Sequence, residues 1–148
     1  MHRHRINIDV TKIGRTALCS NFPILLYLSS ASGINDDNVT SIFSALGANS
    51  RKIAVTTNDG TTQCYVEVEQ WDNTNNRGWL WVKVPTLSNT DNTRLYFYYN
   101  ASRPDNTAYV ASGICPTASG SHSSLKLKIS PEVLTNSRLS SNSIYLMR

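Results

Sequence analysis

Hydrophobic and polar positions alternate along several short segments of this chain. The segment 5–10 (RINIDV) has a period of two, and the run 22–28 (FPILLYL) is apolar, with Pro23 near its start. Successive residues of a strand point to opposite faces, so a period of two is typical of a strand with one face in a core. Both segments are predicted strands, joined by a connection over 14–21.

Four more strands are predicted in the middle of the chain, where most of the large aromatic residues lie. They are 52–57, 61–71, 79–84 and 94–99. Asn58-Asp59-Gly60 separates the first two, and these residue types tolerate the positive φ of a tight hairpin turn. Polar stretches separate the others, so the pattern predicts an antiparallel meander.

Two of these strands have one aliphatic face and one aromatic and charged face. The aliphatic faces comprise Cys64, Val66 and Val68 in one strand and Leu80, Val82 and Val84 in the other. The opposite faces comprise Tyr65, Glu67, Glu69 and Trp71 in one strand and Trp79, Trp81, Lys83 and Pro85 in the other. We expect the aliphatic face to form the core and the aromatic face to form an outer or concave surface. A shift of one residue would exchange the two faces.

One helix is predicted over 37–47. Val39, Ile42, Phe43 and Leu46 follow the i, i+3, i+4, i+7 spacing of a buried helix face, and Gly47 is a typical stop. The fold class predicted is therefore all-β: an antiparallel β-sandwich, jelly-roll-like, with one short helix across an open end. With 148 residues, the chain is predicted to form one module over 1–110. The Ser-rich tail over 111–148 is predicted to be weakly ordered or a truncated end.

Five ordered motifs resemble a known family. They are Phe22-Pro23, the hairpin 57–62, the segment 65–72 (YVEVEQWD), the segment 81–85 (WVKVP) and the segment 95–99 (LYFYY). Together they resemble the bacterial and archaeal extracellular module known as domain of unknown function 2341, over about 3–110. The resemblance implies a β-sandwich of secreted or surface proteins, often beside a concanavalin-A-like lectin or laminin-G-like domain, and it implies no reaction.

The composition predicts a polar surface with few charges, as in many secreted or cell-surface modules. Charged residues make up 16% of the chain and the net charge is +4. The cations include Arg3 and Arg5 near one end and Lys126 and Lys128 near the other, whereas nucleic-acid binders gather cations on one face. We therefore expect no nucleic-acid partner. The apolar run 22–28 is shorter than the ~20 residues of a membrane helix, so no membrane insertion is predicted, and an extracellular or cell-surface location is expected.

Cofactor chemistry has little support in the sequence. The three cysteines, Cys19, Cys64 and Cys115, form no complete disulfide framework; they are either small buried residues or include one pair. The three histidines are isolated from other metal ligands. Oxygen-bearing residues of two turns are candidate calcium ligands, although turn chemistry explains them equally well: Asp36, Asp37, Asn38, Asn58 and Asp59.

Carboxylates on one strand are the candidate for catalysis. Glu67, Glu69 and Asp72 form a Glu-x-Glu-x-x-Asp string, which is similar to the catalytic strand of jelly-roll glucanases. Residues two apart on a strand have Cα atoms ~6.5 to 7 Å apart, so a pair of catalytic carboxylates is geometrically possible. The alternative is that these are solvent-facing charges that pair with Lys83 or Arg77 across the hairpin.

The tryptophans are the candidate for binding. Flat aromatic rings stack on sugar faces, and nearby carboxylates bind hydroxyls. The candidate ligand-binding residues are Tyr65, Glu67, Glu69, Trp71, Asp72, Trp79 and Trp81. The sequence thus favours a non-catalytic extracellular binding or adhesion module for a glycan, working beside other domains of a longer protein. A structural spacer whose aromatics are packed, and a glycoside hydrolase-like enzyme using Glu67 and Glu69, are the alternatives.

Overall fold

The computed structural model describes residues 1–13 and 17–112. Over these residues the chain forms mostly strands, as predicted, so the all-β fold class is confirmed. The four-residue helix α1 and the strand β7 were not predicted. In chain order the elements are β1 (His2–Ile8), α1 (Val10–Ile13), β2 (Cys19–Leu28), α2 (Ser41–Leu46), β3 (Ile53–Thr57), β4 (Gln63–Asp72), β5 (Arg77–Leu87), β6 (Thr93–Tyr99) and β7 (Val110–Ser112).

The strands form one curled sheet in the order β1-β6-β3-β4-β5-β2, and β7 runs parallel to β4. All neighbours in the main order are antiparallel. The strand β4 pairs with β3 only at Gln63 and Cys64, and along the rest of its length it pairs with β5. This change of partner divides the sheet into two parts, which we call the β1 half (β1, β6, β3) and the β2 half (β4, β5, β2).

The predicted aliphatic faces point into a single core shared by both halves. In β4 and β5 the exposed fraction is 4% or less for every predicted aliphatic position, from Cys64 to Val84. Each fully buried aliphatic side chain contributes roughly 1.5–3 kcal/mol to folding. The other core residues, contributed by the remaining strands and by α2, include Ile6, Ile8, Leu26, Leu28, Phe43, Ile53, Val55, Leu95 and Phe97.

Pro23 lies inside β2 rather than at its start, because β2 begins at Cys19. The strand β2 is the last in the sheet order and pairs with β5 on one side. Proline lacks the backbone N–H and is tolerated on such edge strands. The position of Pro23 therefore fits the edge location of β2.

The predicted helix is present but shorter than its periodic pattern. It spans Ser41–Leu46, and Ile42, Phe43 and Leu46 are buried. The helix ends at Gly47, whose φ is +57° and whose N–H donates to the Phe43 carbonyl. Before the helix, the Asn38 side chain accepts hydrogen bonds from the N–H and hydroxyl of Thr40. No helix of the described residues is long and apolar enough to cross a membrane.

Substitution of Gly47 by alanine tests whether backbone conformation alone requires glycine there. A Cβ at Gly47 would meet no atom within 4 Å, so the substitution creates no clash. The positive φ with ψ of −129° is a conformation that L-residues rarely adopt and that costs about 1–3 kcal/mol. We expect Gly47→Ala to lower the free energy of unfolding by about this amount in urea denaturation. Ala48→Ser, at the exposed neighbouring position, is the control, and equal stabilities of the two variants would contradict the prediction.

Candidate functional site

The outer surface of the β2 half has aromatic side chains at its centre. On β5, Trp79 and Trp81 are half-buried and Lys83 is exposed, whereas the alternate residues are buried. The predicted division of β5 into an aliphatic inner face and an aromatic outer face is therefore confirmed. Both indoles keep part of their surface open to solvent.

Neighbouring strands extend this surface on both sides of β5. On β2, Tyr27 lies opposite Trp79 and Leu25 lies opposite Trp81. The ring centroids of Tyr27 and Trp79 are 5.0 Å apart, with a tilt of 39°. On β4, Glu67 lies opposite Trp81. We call the surface formed by Leu25, Tyr27, Glu67, Glu69, Trp79 and Trp81 the aromatic face.

A hydrogen bond joins one glutamate to one indole. The Trp81 Nε1–H donates to Glu69 Oε2 at 2.8 Å. Both Glu67 and Glu69 are exposed on β4. The bond restrains the indole on the sheet surface while leaving its ring partly open, and it engages one oxygen of Glu69.

Tyr65 borders the aromatic face rather than lying within it. Its side chain is 58% exposed, and Lys83 is its cross-strand partner. The Lys83 Nζ lies 5.9 Å from the centroid of the Tyr65 ring. On the other side, the Tyr109 ring lies 5.3 Å away. Tyr65 is thus an accessible aromatic side chain next to a cation.

Trp71 does not share the face of Tyr65, so this part of the sequence prediction is wrong. The register between β4 and β5 shifts between Val68 and Gln70, and a β-bulge of this kind reverses the alternation beyond it. Trp71 therefore packs against the core. Its ring lies 4.6 Å from that of Phe43, and its Nε1–H donates to the Gly47 carbonyl at 2.8 Å.

Asp72 acts as a turn residue at the end of β4. Its carboxylate accepts hydrogen bonds from the Asn75 side chain and from the backbone N–H groups of Thr74 and Asn75. The side-chain bond from Asn75 is the main reason that the pKa of Asp72 is lowered. Asp72 thus stabilises the turn between β4 and β5, apart from the aromatic face.

Asp59 organises the predicted hairpin between β3 and β4. Its carboxylate accepts hydrogen bonds from the hydroxyl groups of Thr62 and Thr57 and from the N–H groups of Thr61 and Thr62. These bonds, with that from the Thr62 hydroxyl the strongest, hold the pKa of Asp59 well below its usual range. Gly60 follows with φ of +73°, as the turn requires. All these contacts are turn chemistry.

Asp37, another candidate metal ligand, also takes part in local structure, because its backbone exchanges hydrogen bonds with Ser32. His2 and His4, which the sequence set apart from metal ligands, stack on Tyr99. Within residues 1–13 and 17–112, no three histidine, cysteine or acidic side chains are grouped so that they could hold a metal ion. His122 lies outside the described residues.

The thiols differ in accessibility. Cys64 is buried in β4 with 1% exposure, and this burial raises its pKa to about 11. A thiol with such a pKa is protonated at neutral pH and unreactive. Cys19 is half-buried, and Cys115 lies outside the described residues.

Sequence reasoning missed Leu25 and Tyr27 as members of the aromatic face. The alternation in β2 does place them opposite the inward-facing Ile24 and Leu26, so a signal for their outward position was present. Their neighbours, however, come from β5, more than fifty residues later in the chain. Cavities of about 340, 340 and 410 Å³ among residues 1–13 and 17–112 are lined by other residues. The aromatic face is therefore a surface distinct from these depressions.

Together, the curled antiparallel sheet and the aromatic outer surface define a small all-β, sandwich-like module. Residues 49–113 match the model of a family described as "Domain of unknown function (DUF2341)", which confirms the resemblance over that segment. Comparison with curated proteins gave no match, and comparison with solved structures gave none. The matched segment includes β3 to β7, whereas β1 and β2 precede it.

Replacing Trp71 by phenylalanine separates its packing role from its hydrogen bond. The variant keeps an aromatic ring against Phe43 but leaves the partly buried Gly47 carbonyl without the indole donor. We expect Trp71→Phe to lower the free energy of unfolding by about 1 kcal/mol. Trp81→Phe is the matched control, because water can replace its exposed bond to Glu69. Equal losses in the two variants, measured by urea denaturation, would contradict the inward position of Trp71.

The pH dependence of stability tests the role of Asp59. Because the pKa of Asp59 is lower in the folded state than in the unfolded chain, the ionised carboxylate stabilises the fold. This stabilisation is complete above the unfolded pKa of about 3.9 and is lost as the pH falls below that value. We expect Asp59→Asn to have a lower Tm than the native protein at neutral pH, and the difference to shrink as the pH falls below about 4. Asp105→Asn, at an exposed position, controls for the change in net charge. A Tm difference that stays constant down to acid pH would refute this role.

Proposed function

We propose that this chain is a non-catalytic module that binds a neutral glycan on its aromatic face, as one part of a larger surface or secreted protein. The observation that carries the proposal is the position of Tyr27, Trp79 and Trp81 side by side on the outer surface of two paired strands. Partly open rings arranged across a sheet offer apolar surface to the C–H faces of sugars.

Polar groups beside these rings supply the hydrogen bonds that a glycan needs. Glu67 is the cross-strand partner of Trp81, and the Glu69 carboxylate accepts a bond from the Trp81 indole. Carboxylate oxygens accept hydrogen bonds from sugar hydroxyls. The combination of flat apolar rings and exposed acceptors favours a polyhydroxylated ligand over a purely apolar one.

The same geometry favours binding over hydrolysis. A retaining glycosidase needs two carboxyl groups about 5–5.5 Å apart on either side of the scissile bond. Here Glu67 and Glu69 are exposed on one strand of an outer surface, and an oxygen of Glu69 is engaged by the indole. The glycoside hydrolase-like alternative has less support than a binding role for these residues.

A structural role in assembly is the second candidate, and the sheet order supports it. The order begins with β1 and ends with β2, so among the described residues each of these strands has an edge without a neighbouring strand. Unpaired edges can pair with strands of other chains or domains. This candidate requires no ligand on the aromatic face.

Tryptophan fluorescence titrations with neutral polysaccharides (cellulose, xylan, mannan and chitin fragments) test the proposal. We expect a saturable change with at least one of them, and a loss of affinity of about tenfold in both Trp79→Ala and Trp81→Ala, since an aromatic contact contributes up to about 1.5 kcal/mol beyond buried area. Trp71→Phe, a tryptophan variant on the inner side, is the control and is expected to retain the affinity. Glu67→Gln is expected to keep measurable binding.

The outcomes separate the three functions. No response to any neutral glycan from a correctly folded protein would refute the binding proposal and favour the structural role. Release of reducing sugar ends, abolished in Glu67→Gln or Glu69→Gln, would refute the non-catalytic assignment. Equal loss of affinity in Trp71→Phe and Trp81→Ala would place the ligand away from the aromatic face.

A further inference from the structure

The outer surface of the β1 half differs in chemistry from the aromatic face. Pairing between β1 and β6 places Arg3 opposite Tyr98 and Arg5 opposite Tyr96. Arg94, two residues before Tyr96, points to the same side of β6. We call the surface formed by Arg3, Arg5, Arg94, Tyr96 and Tyr98 the basic face.

The basic face has an excess of positive charge. Its three arginines are exposed, and β1, β3 and β6 contain no aspartate or glutamate. The register places Arg94 opposite Asn7, diagonal to Arg5, and the backbones of diagonal neighbours on a sheet lie about 7–8 Å apart. Both long arginine side chains can therefore reach one anion, and an opposite charge between two like charges is favoured.

The tyrosines add apolar surface between these cations. The guanidinium carbon of Arg3 lies 4.6 Å from the centroid of the Tyr96 ring, and the rings of Tyr96 and Tyr98 are 6.3 Å apart with a tilt of 56°. Arg3 thus covers one side of Tyr96. The two rings are inclined to each other rather than arranged as parallel plates.

A depression continues the basic face beyond Tyr98. It has a volume of about 410 Å³, and its lining includes Lys52, Arg103 and Asn106, as well as one carboxylate, Asp105. The Asn106 amide donates to the Ile53 carbonyl and to the Gln63 side chain, which holds the loop against β3 and β4. Arg103 of this loop and Lys52, which precedes β3, therefore line the depression beside Tyr98, and the Lys52 ammonium donates to the Ala101 carbonyl at 2.9 Å.

We propose that the basic face and this depression bind an anionic polysaccharide through its carboxylate groups. The planar guanidinium group matches a carboxylate with two parallel hydrogen bonds, and tyrosine rings contact the apolar faces of sugars. Because Arg3 covers one side of Tyr96, Tyr98 is the ring that would contact a sugar. Single-stranded nucleic acid is a poorer fit, because its successive bases stack on several open rings. This inference is independent of the proposed function, since it uses none of the residues of the aromatic face.

Isothermal titration calorimetry with polygalacturonate tests the inference, with its fully methyl-esterified form as a neutral probe of the same backbone. We expect the native chain to bind the acid form and not the ester. The double variant Arg5→Gln with Arg94→Gln is expected to bind at least about tenfold more weakly, because it removes two charged hydrogen-bond donors to the carboxylates. Raising NaCl from about 10 to about 150 mM shortens the Debye length from about 30 to about 8 Å and should also weaken binding.

A matched control has the same net charge as the double variant Arg5→Gln with Arg94→Gln. Lys12→Gln with Arg77→Gln removes two exposed cations that lie outside β1, β3 and β6, and we expect it to retain the native affinity. Equal weakening in both double variants would overturn the proposal, because binding would then depend only on net charge. Equal binding of the ester would also overturn it, because the protein would then recognise the sugar backbone rather than its carboxylates. Absence of binding to polygalacturonate, or tighter binding of a single-stranded DNA oligomer, would also overturn it. Loss of polygalacturonate binding in Trp81→Ala would place the ligand on the aromatic face instead.

Discussion

The antiparallel ladder between β4 and β5 is the constraint on which the rest of the structure depends. Its register pairs Val66 with Val82 and Glu67 with Trp81. The same register therefore determines, for both strands, which side chains enter the core and which remain outside. A slip of one residue would bury the glutamate opposite the indole, and an unpaired buried charge is strongly unfavourable. The burial preferences of the two faces therefore reinforce one another and specify a single register.

The bulge after Val68 changes the role of the end of this ladder. Without it, Trp71 would point outward with Glu67 and Glu69. With the extra residue, the indole of Trp71 turns inward. Its ring packs against Phe43 of α2, and its N–H donates to the Gly47 carbonyl at the end of that helix. The helix is thereby joined to the sheet at the place where its last carbonyl groups need partners. One local irregularity thus removes a tryptophan from the outer surface and packs it against the core.

How much of the fold could be predicted depends on how far apart in the sequence the interacting residues are. Alternation is a local property, so the positions of the strands, the hairpin around Asp59 and the inner face of β5 were accessible. The β-bulge in β4 could not be predicted, since the residues around Gln70 have no distinct local pattern. The register shift appears only through the pairing of β4 with β5. Trp71 was misplaced for that reason.

Pairing between distant segments likewise explains what was missed at the surfaces. The sequence shows Arg3 and Arg5 near one end of the chain and Lys126 and Lys128 near the other, which argued against a clustered positive surface. The β1–β6 pairing brings Arg3 and Arg5 onto one face with Arg94. The aromatic face gains Tyr27 in the same way from the β2–β5 pairing. Periodicity does not reveal which distant strands pair. Prediction from the sequence therefore gave only part of the aromatic face and did not assemble the basic face.

Both outer surfaces combine residues from inside and outside the segment that matches the family model. The inner strands β3 to β6 lie within residues 49–113 and contribute Trp79, Trp81, Tyr96 and Tyr98. The edge strands β1 and β2 precede that segment and contribute Arg3, Arg5, Leu25 and Tyr27. Because an edge strand has a neighbour on only one side, a substitution at one of its outward residues disturbs fewer cross-strand side-chain pairs than in a central strand. The matched segment therefore contains the middle of the scaffold, and the chemistry of each surface depends on the edge strand that completes it.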